Sequence, residues 1–409
     1  MTHFKIYLFS FIFIPSILLA QAPEDFSQFN INYQYDFNAE IKFDHQAALA
    51  NDTVFLYFHI TTKPGIRLQD NYRIIYYLKE NYTSENSLLM DTISFEEELV
   101  EVFRNKYYLK YLHPNQEEGK VGIFSILNLN TETEYLFDIP LHLPNSFPLS
   151  SLIAMQPDRN IPFFNGFINE TDSFRIMDLS DGSVALTSFW YNEDFAAAYP
   201  PMVTDDKMVQ EIIKEDSIFQ IESQSVLHLD SLGLFLFQTD TASLESIAFR
   251  VQNKYFPKLS KIDKVIQPLI YITTKGERES LTNASEPKKA LDKFWLNIAN
   301  SEQQARLIIM EYFRQVRAAN VLFTGFKEGW KTDQGMIYIL FGNPDQVYRD
   351  QEQEVWVYEN QEQNRKVTFN FLKVRNFFDR HYYTLMRNED YDNIWFRTVD
   401  RWRKGLQDI

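Results

Sequence analysis

The hydrophobic period of this chain changes once along its length. From Asp25 to about Thr274, apolar side chains recur at every second position in short runs broken by Asn, Asp, Gly and Pro. That is the pattern of half-buried strands. Residues 53–60 show it best, with Val54, Leu56, Phe58 and Ile60 on one face. Residues 30–35, 73–78, 107–112, 121–127 and 134–139 repeat it, so residues 21–145 are predicted to form a β-sandwich domain. Pro140, Pro144, Asn145 and Pro148 mark a boundary, because proline removes ladder donors and favours extended links. A second β-rich domain is predicted over 146–274, with strands at 151–155, 173–177, 183–191, 218–229, 233–237, 246–252 and 265–273. One short helix is expected at 205–214. A single large sandwich across both blocks is the alternative.

After Lys275 the period becomes 3.6. Ser285-Glu286-Pro287 starts a helix whose apolar side carries Leu291, Phe294, Trp295 and Ile298, with Asn300 at its end. Ser301 and Gln304 have capping-box spacing and open a second helix to about Phe323, on which Ile309, Phe313, Val316 and Asn320 share a face. Strands are predicted at 336–341, 354–358 and 366–374, then a last helix from Asp392 to Gly405. The acidic start and Arg401-Trp402-Arg403-Lys404 end of that helix complement its dipole. The fold class is therefore mainly β with a C-terminal α+β module over 275–409: two helices, a three-stranded antiparallel sheet and a final helix. Five of the six tryptophans lie between positions 295 and 402, so that module is expected to be tightly packed.

Composition adds a compartment. Lys5 precedes a 14-residue apolar stretch ending at Leu19, and Ala20 supplies a small residue for cleavage, so residues 1–20 read as a signal peptide. No later segment is apolar for long enough to span a bilayer. The chain has no cysteine, which excludes disulfides, thiolate metal sites and thiol nucleophiles. Together these predict export to a bacterial envelope, periplasmic or associated with the outer membrane. Residues 275–409 hold 21 basic and 20 acidic side chains, against 18 and 36 over 21–274. The acidic part repels nucleic acid, and no nucleic-acid partner is expected.

The most distinctive stretch is Gly329-Trp330-Lys331-Thr332-Asp333-Gln334-Gly335, followed by an apolar run and Gly342-Asn343-Pro344-Asp345. Gly325 and Gly329 permit positive φ in a chain reversal, and Trp330 offers a large apolar body to plug a gap between helix and sheet. Thr332, Asp333 and Gly335, then Gly342, Pro344 and Asp345, are turn chemistry at the two ends of the predicted strand. A ligand site is the competing reading of the same residues. Asp333 and Asp345 lie about 40 Å apart if that strand is fully extended, too far to be assumed a catalytic pair. Arg314 and Arg317 on the preceding helix are possible ion-pair partners for Asp333.

With Lys293-Phe294-Trp295, Tyr312-Phe313-Arg314, Ala319-Asn320 and Ile337-Tyr338-Ile339, this block resembles the GWxTD-domain family of exported bacterial proteins. The resemblance covers roughly residues 275–409, about a third of the chain. It implies a β-rich region before the module and carries no activity with it.

Catalytic motifs are absent. There is no nucleophile elbow, phosphate-cradling loop or dinucleotide fingerprint. Six histidines beyond the signal segment are scattered without metal-ligand spacing. No catalytic residue, metal or cofactor is assigned, and Glu389, Asp390 and Asp392 read as the start of a helix rather than a calcium loop. The expected function is a non-catalytic binding or assembly module acting on other envelope proteins or polymers. The alternative is an envelope hydrolase of glycan or peptide whose carboxylates converge only in the fold. A sugar-binding groove, with Trp190 and Tyr191 stacking on its ligand, is a third option.

Overall fold

The computed structural model describes residues 25–142, 147–180, 182–192, 194–204, 213–299, 301–360 and 365–406. The expected signal peptide lies outside them, as do most of the helix expected at 205–214 and the Pro144-Asn145 boundary. Among the described residues no helix is long and apolar enough to cross a membrane.

Eight strands build the first sandwich: β1 Ile41–Ala50, β2 Thr53–Thr62, β3 Tyr72–Lys79, β4 Leu89–Thr92, β5 Leu99–Phe103, β6 Lys106–Pro114, β7 Val121–Asn128 and β8 Glu134–Pro140. They form two antiparallel sheets, ordered β1-β2-β6-β5 and β4-β3-β7-β8. Val54, Leu56, Phe58 and Ile60 meet Tyr72, Ile74, Tyr76 and Leu78 in the core between them. Strand β3 is buried on its other face too, where Ile75 and Tyr77 join a second core shared with the C-terminal module. That double burial explains the unbroken apolar run from Ile74 to Leu78.

The next strands are β9 Leu152–Met155, β10 Phe167–Asn169, β11 Ser173–Asp178, β12 Ala185–Tyr191, β13 Ser217–Glu222, β14 Leu227–His228, β15 Gly233–Gln238 and β16 Ile247–Gln252. A five-stranded sheet, β10-β16-β15-β12-β13, faces the three-stranded β14-β11-β9 across Phe174, Ile176, Phe235, Phe237 and Phe249.

The C-terminal module contains helices α1 Lys275–Thr282, α2 Pro287–Ile298, α3 Glu302–Phe323, α4 Asp333–Phe341 and α5 Asp392–Lys404. Its sheet joins β17 Gln346–Arg349, β18 Gln353–Asn360, β19 Arg365–Lys373 and β20 Tyr383–Leu385 in that order. The mainly β architecture with a C-terminal α+β module agrees with the sequence pattern. The expected antiparallel sheet is present and runs to four strands.

Three predicted strands are something else. Residues 336–341 belong to α4, in which every residue from Asp333 to Leu340 is buried. A helix covered on all sides is apolar all round, so its periodicity cannot be told from a buried strand's. The discriminating signal is Thr332, whose hydroxyl caps α4 by accepting from Gly335 N–H at 2.9 Å. Residues 265–273 lie in a helical turn, Ile262–Ile266, followed by a tighter turn, Gln267–Tyr271. Pro268 suits the first turn of a helix, where its missing N–H is not needed. Residues 30–35 form a tight turn at Asn32–Tyr35. Asn30 and Asn32 side chains there bond the Asp345 carbonyl and so pin the chain to the module instead of to a sheet.

That N-terminal segment is a strap between sandwich and module. Ile31 N–H donates to Val347 O at 2.9 Å, and Tyr33 hydroxyl donates to Leu136 O at 2.8 Å. The Tyr35 ring packs 5.0 Å from Trp356 and 5.7 Å from Phe323. Burying a large apolar side chain of this kind contributes about 1.5–3 kcal/mol.

Candidate functional site

The motif residues are internal. Trp330 is 4% exposed and packs against Tyr271 at 6.3 Å. Its N–H donates to Asn320 Oδ1 at 3.1 Å, and its carbonyl accepts from the Tyr271 hydroxyl at 2.9 Å. Gly329 is required for close approach: a Cβ there would lie 1.9 Å from Ala319 O. Neither Gly325 nor Gly329 has positive φ, so their role is space and not chain reversal. Gly342 does end α4 at φ +79°, and Pro344 is buried beyond it. Asp345 is tied to the neighbouring strand β18, its side chain accepting from Glu359 N–H at 2.6 Å.

Asp333 accepts from Leu385 N–H at 3.0 Å and pairs with Arg387, whose Nη2 lies 2.5 Å from Oδ1. The expected partners are elsewhere: Arg314 pairs with Glu311 one helical turn away, and Arg317 is exposed. Proximity in sequence suggested the α3 arginines, whereas the fold delivers Arg387 from just beyond β20. Lys331 contacts Asp194 and lies 2.9 Å from Glu328, which in turn lies 3.6 Å from Arg250 on β16. The motif thus locks the second sandwich to the module. One edge of Trp330 lines an apolar recess of about 370 Å³ together with Ile262, Ile266 and Leu281.

A larger cavity of about 440 Å³ lies where the two sandwiches meet the module. β1 contributes His45 and β8 contributes Asp138. The module contributes Thr332, Gln334, Arg349 and the loop from Phe377 to Tyr383. His45 and His381, distant in sequence, come together with ring centroids 5.8 Å apart and nearly perpendicular planes. His381 sits deep in the protein mass yet keeps an open face, because that face looks into the cavity.

One wall of the cavity is a closed polar network. Arg349 Nη1 donates to Asp138 Oδ1 at 2.6 Å and its Nε to Glu354 Oε2 at 2.5 Å. Glu354 also accepts from Tyr35, Gln334 and Trp356, and Asp138 from the Tyr82 hydroxyl at 2.7 Å. Burial alone would raise Asp138, but Arg349 and the Tyr82 hydroxyl hold its carboxyl below the usual range.

The other wall is not closed. Arg380 donates from Nη2 to Leu141 O at 2.9 Å, while its Nε has no acceptor. Outside the lining, Lys373 is 4% exposed, and among the described residues its Nζ has no hydrogen-bond partner. The Tyr383 ring centroid lies 6.0 Å from the nitrogen. Burial depresses both cations, Arg380 to about 10 and Lys373 to about 8, the latter also through the like charge of Arg380. Burial pushes His45 down to about 4 and His381 well below its ordinary value, so both rings are neutral at pH 7. Burial raises Asp379, whose Oδ1 accepts from the backbone N–H of His381 at 2.8 Å. Its Oδ2 abuts Gly325 so closely that a Cβ there would lie 1.8 Å from it.

The motif expected from sequence therefore frames the cavity through Thr332 and supplies little of its chemistry. His45, Asp138, Arg349, Lys373 and Arg380 were not singled out. The run Asp379-Arg380-His381-Tyr382-Tyr383 is the one local signal that pointed to them. The other sugar-site candidates are packed: Trp190 Nε1 donates to Leu232 O at 3.1 Å, and Tyr191 lies against Phe378 at 5.3 Å.

Fold and site together define a β-rich, multi-unit protein whose C-terminal α+β module closes one side of a polar cavity. Residues 233–404 match the family model of the GWxTD domain, so the chain carries a GWxTD domain. The match begins at Gly233 and takes in β15 and β16, earlier than the change of period at Lys275. A search of curated proteins returned no match.

Proposed function

We propose that the protein is an exported, non-catalytic binding module of a bacterial cell envelope, acting on other envelope proteins or polymers. The observation that carries the reading is the 440 Å³ cavity, walled by all three units and lined by Arg380, whose buried Nε has no hydrogen-bond partner among the described residues. A concave site with a few convergent polar groups is the usual form of a ligand pocket. Export rests on the basic and apolar character of residues 1–20. Crosslinking in the native envelope should recover reproducible protein or polymer partners, and the N-terminus of the mature chain should be Gln21. Recovery of none, together with turnover of a glycan or peptide, overturns the reading.

One observation favours a second reading, an envelope hydrolase. Asp379 has a raised pKa and shares the cavity with Asp138, and such a difference between two carboxyl groups can separate acid from base. Against it, Asp379 is engaged by the His381 N–H and packed on Gly325, while Asp138 is held by Arg349 and Tyr82. Loss of turnover in Asp379→Asn with intact folding would select the hydrolase.

A further inference from the structure

Arg349 and Arg380 line the same cavity in opposite circumstances. Arg349 has two carboxylates. Among the described residues, Arg380 and its neighbour Lys373, which stands outside the lining, form no salt bridge, and each leaves a buried nitrogen without an acceptor. Removing a guanidinium or ammonium from water costs several kcal/mol unless an opposite charge offsets it. A buried group left in that state calls for an explanation, and a bound anion supplies one.

We propose that the cavity binds a small molecule with an anionic oxygen group, a carboxylate or phosphate monoester, on an apolar body; this rests on reading the cavity as the protein's binding site. The head group lies against Arg380, whose planar fork matches carboxylate and phosphate oxygens. Lys373 adds positive charge behind it. Neutral His45 and His381 each carry one N–H that can donate to ligand oxygens. The apolar body runs along Phe43, Phe147, Phe164 and Phe377, which line the same space. The cavity's own carboxylates have other contacts: Asp44 lies 3.1 Å from His59. Asp138 is committed to Arg349 and Tyr82, and Asp379 is pressed on Gly325.

The test is calorimetric titration of the full mature chain with octanoate, octyl phosphate, octanol and inorganic phosphate. Octanoate or octyl phosphate should bind at least about tenfold more tightly than octanol, and the stronger of the two separates carboxylate from phosphate recognition. Arg380→Gln should weaken that binding by about tenfold with near-UV circular dichroism unchanged. Lys373→Met should weaken it similarly and raise the melting temperature of the ligand-free chain, because an uncompensated buried charge is gone. A merely structural lysine would lower it. Equal affinity for octanol overturns the inference and leaves the cavity an apolar binding site. Inorganic phosphate binding as tightly as octyl phosphate removes the role given to the apolar body. Absence of binding by every probe overturns both the inference and the reading beneath it.

Discussion

Arg349, at the end of strand β17, reaches out of the C-terminal module and places Nη1 2.6 Å from Asp138 Oδ1 on strand β8 of the first sandwich. Asp138 is buried and Arg349 is mostly covered, and the strap residue Tyr35 closes the group by donating to Glu354 and accepting from Arg349 at 2.7 Å. Sandwich, strap and module are therefore joined by a charged network as well as by apolar packing.

Breaking that network on one side leaves a charge stranded. Arg349→Met should lower stability by about 3–5 kcal/mol, because Asp138 and Glu354 stay buried without their cation. Urea denaturation of the variant and the wild type measures it. A loss under about 1 kcal/mol, the range of an exposed pair, would mean the network is solvated.

Trp330 is the fastener of the motif. Trp330→Ala should destabilise the module by about 3–5 kcal/mol, as large aromatic truncations in cores do. Unchanged melting with lost partner binding would instead make the ring a contact residue.

Two glycines make opposed predictions. Gly329→Ala drives a Cβ to 1.9 Å from Ala319 O and should destabilise by about 1–3 kcal/mol or more. Gly276 sits in α1 with nothing within 4 Å of its Cβ position, so Gly276→Ala should stabilise by about 0.4–1 kcal/mol. Paired thermal melts decide both, and an equal effect of the two substitutions would contradict the packing at Gly329.

Acid should loosen the cavity before it titrates Asp138. His45 binds its proton at about 4 when folded and at 6.5 when free, so the unfolded chain takes up protons first as pH falls. Stability contributed by the neutral ring is complete above 6.5 and is lost progressively toward about 4. His381 acts in the same direction. The groups facing them are Asp44, Asp138, Arg349, Lys373 and Arg380. Asp138 is held low, so its contribution disappears only below the ordinary carboxylate range. Melting temperature should therefore fall between pH 6.5 and about 5, and His45→Gln should flatten that slope. A flat wild-type profile there would place the rings in water.

Legibility followed the kind of signal. Strand β2 was readable because its alternation reports one buried face, and α3 because Ser301 caps it, accepting from Gln304 N–H at 3.1 Å. Helix α5 announced both ends, with Asp392 at its start and Gly405 at φ +63° after it. Helix α4 was not readable as a helix, since uniform burial erases period. The motif stood out through its glycines and Trp330, whose constraints are local. The cavity did not, because its groups come from β1, β8, β17 and the loop before β20, and nothing in their spacing records that they meet.

What the sequence determined by itself was class and parts: a β-rich chain, an α+β end, a GWxTD block, and caps and turns dictated by bonds between near neighbours. What only the tertiary structure decided was which charges find partners. Arg387 for Asp333, Asp138 for Arg349 and, among the described residues, no salt bridge for Arg380 or Lys373 are outcomes of long-range packing. Electrostatic pairing depends on distance and burial in space, and neither is written in the order of residues along the chain.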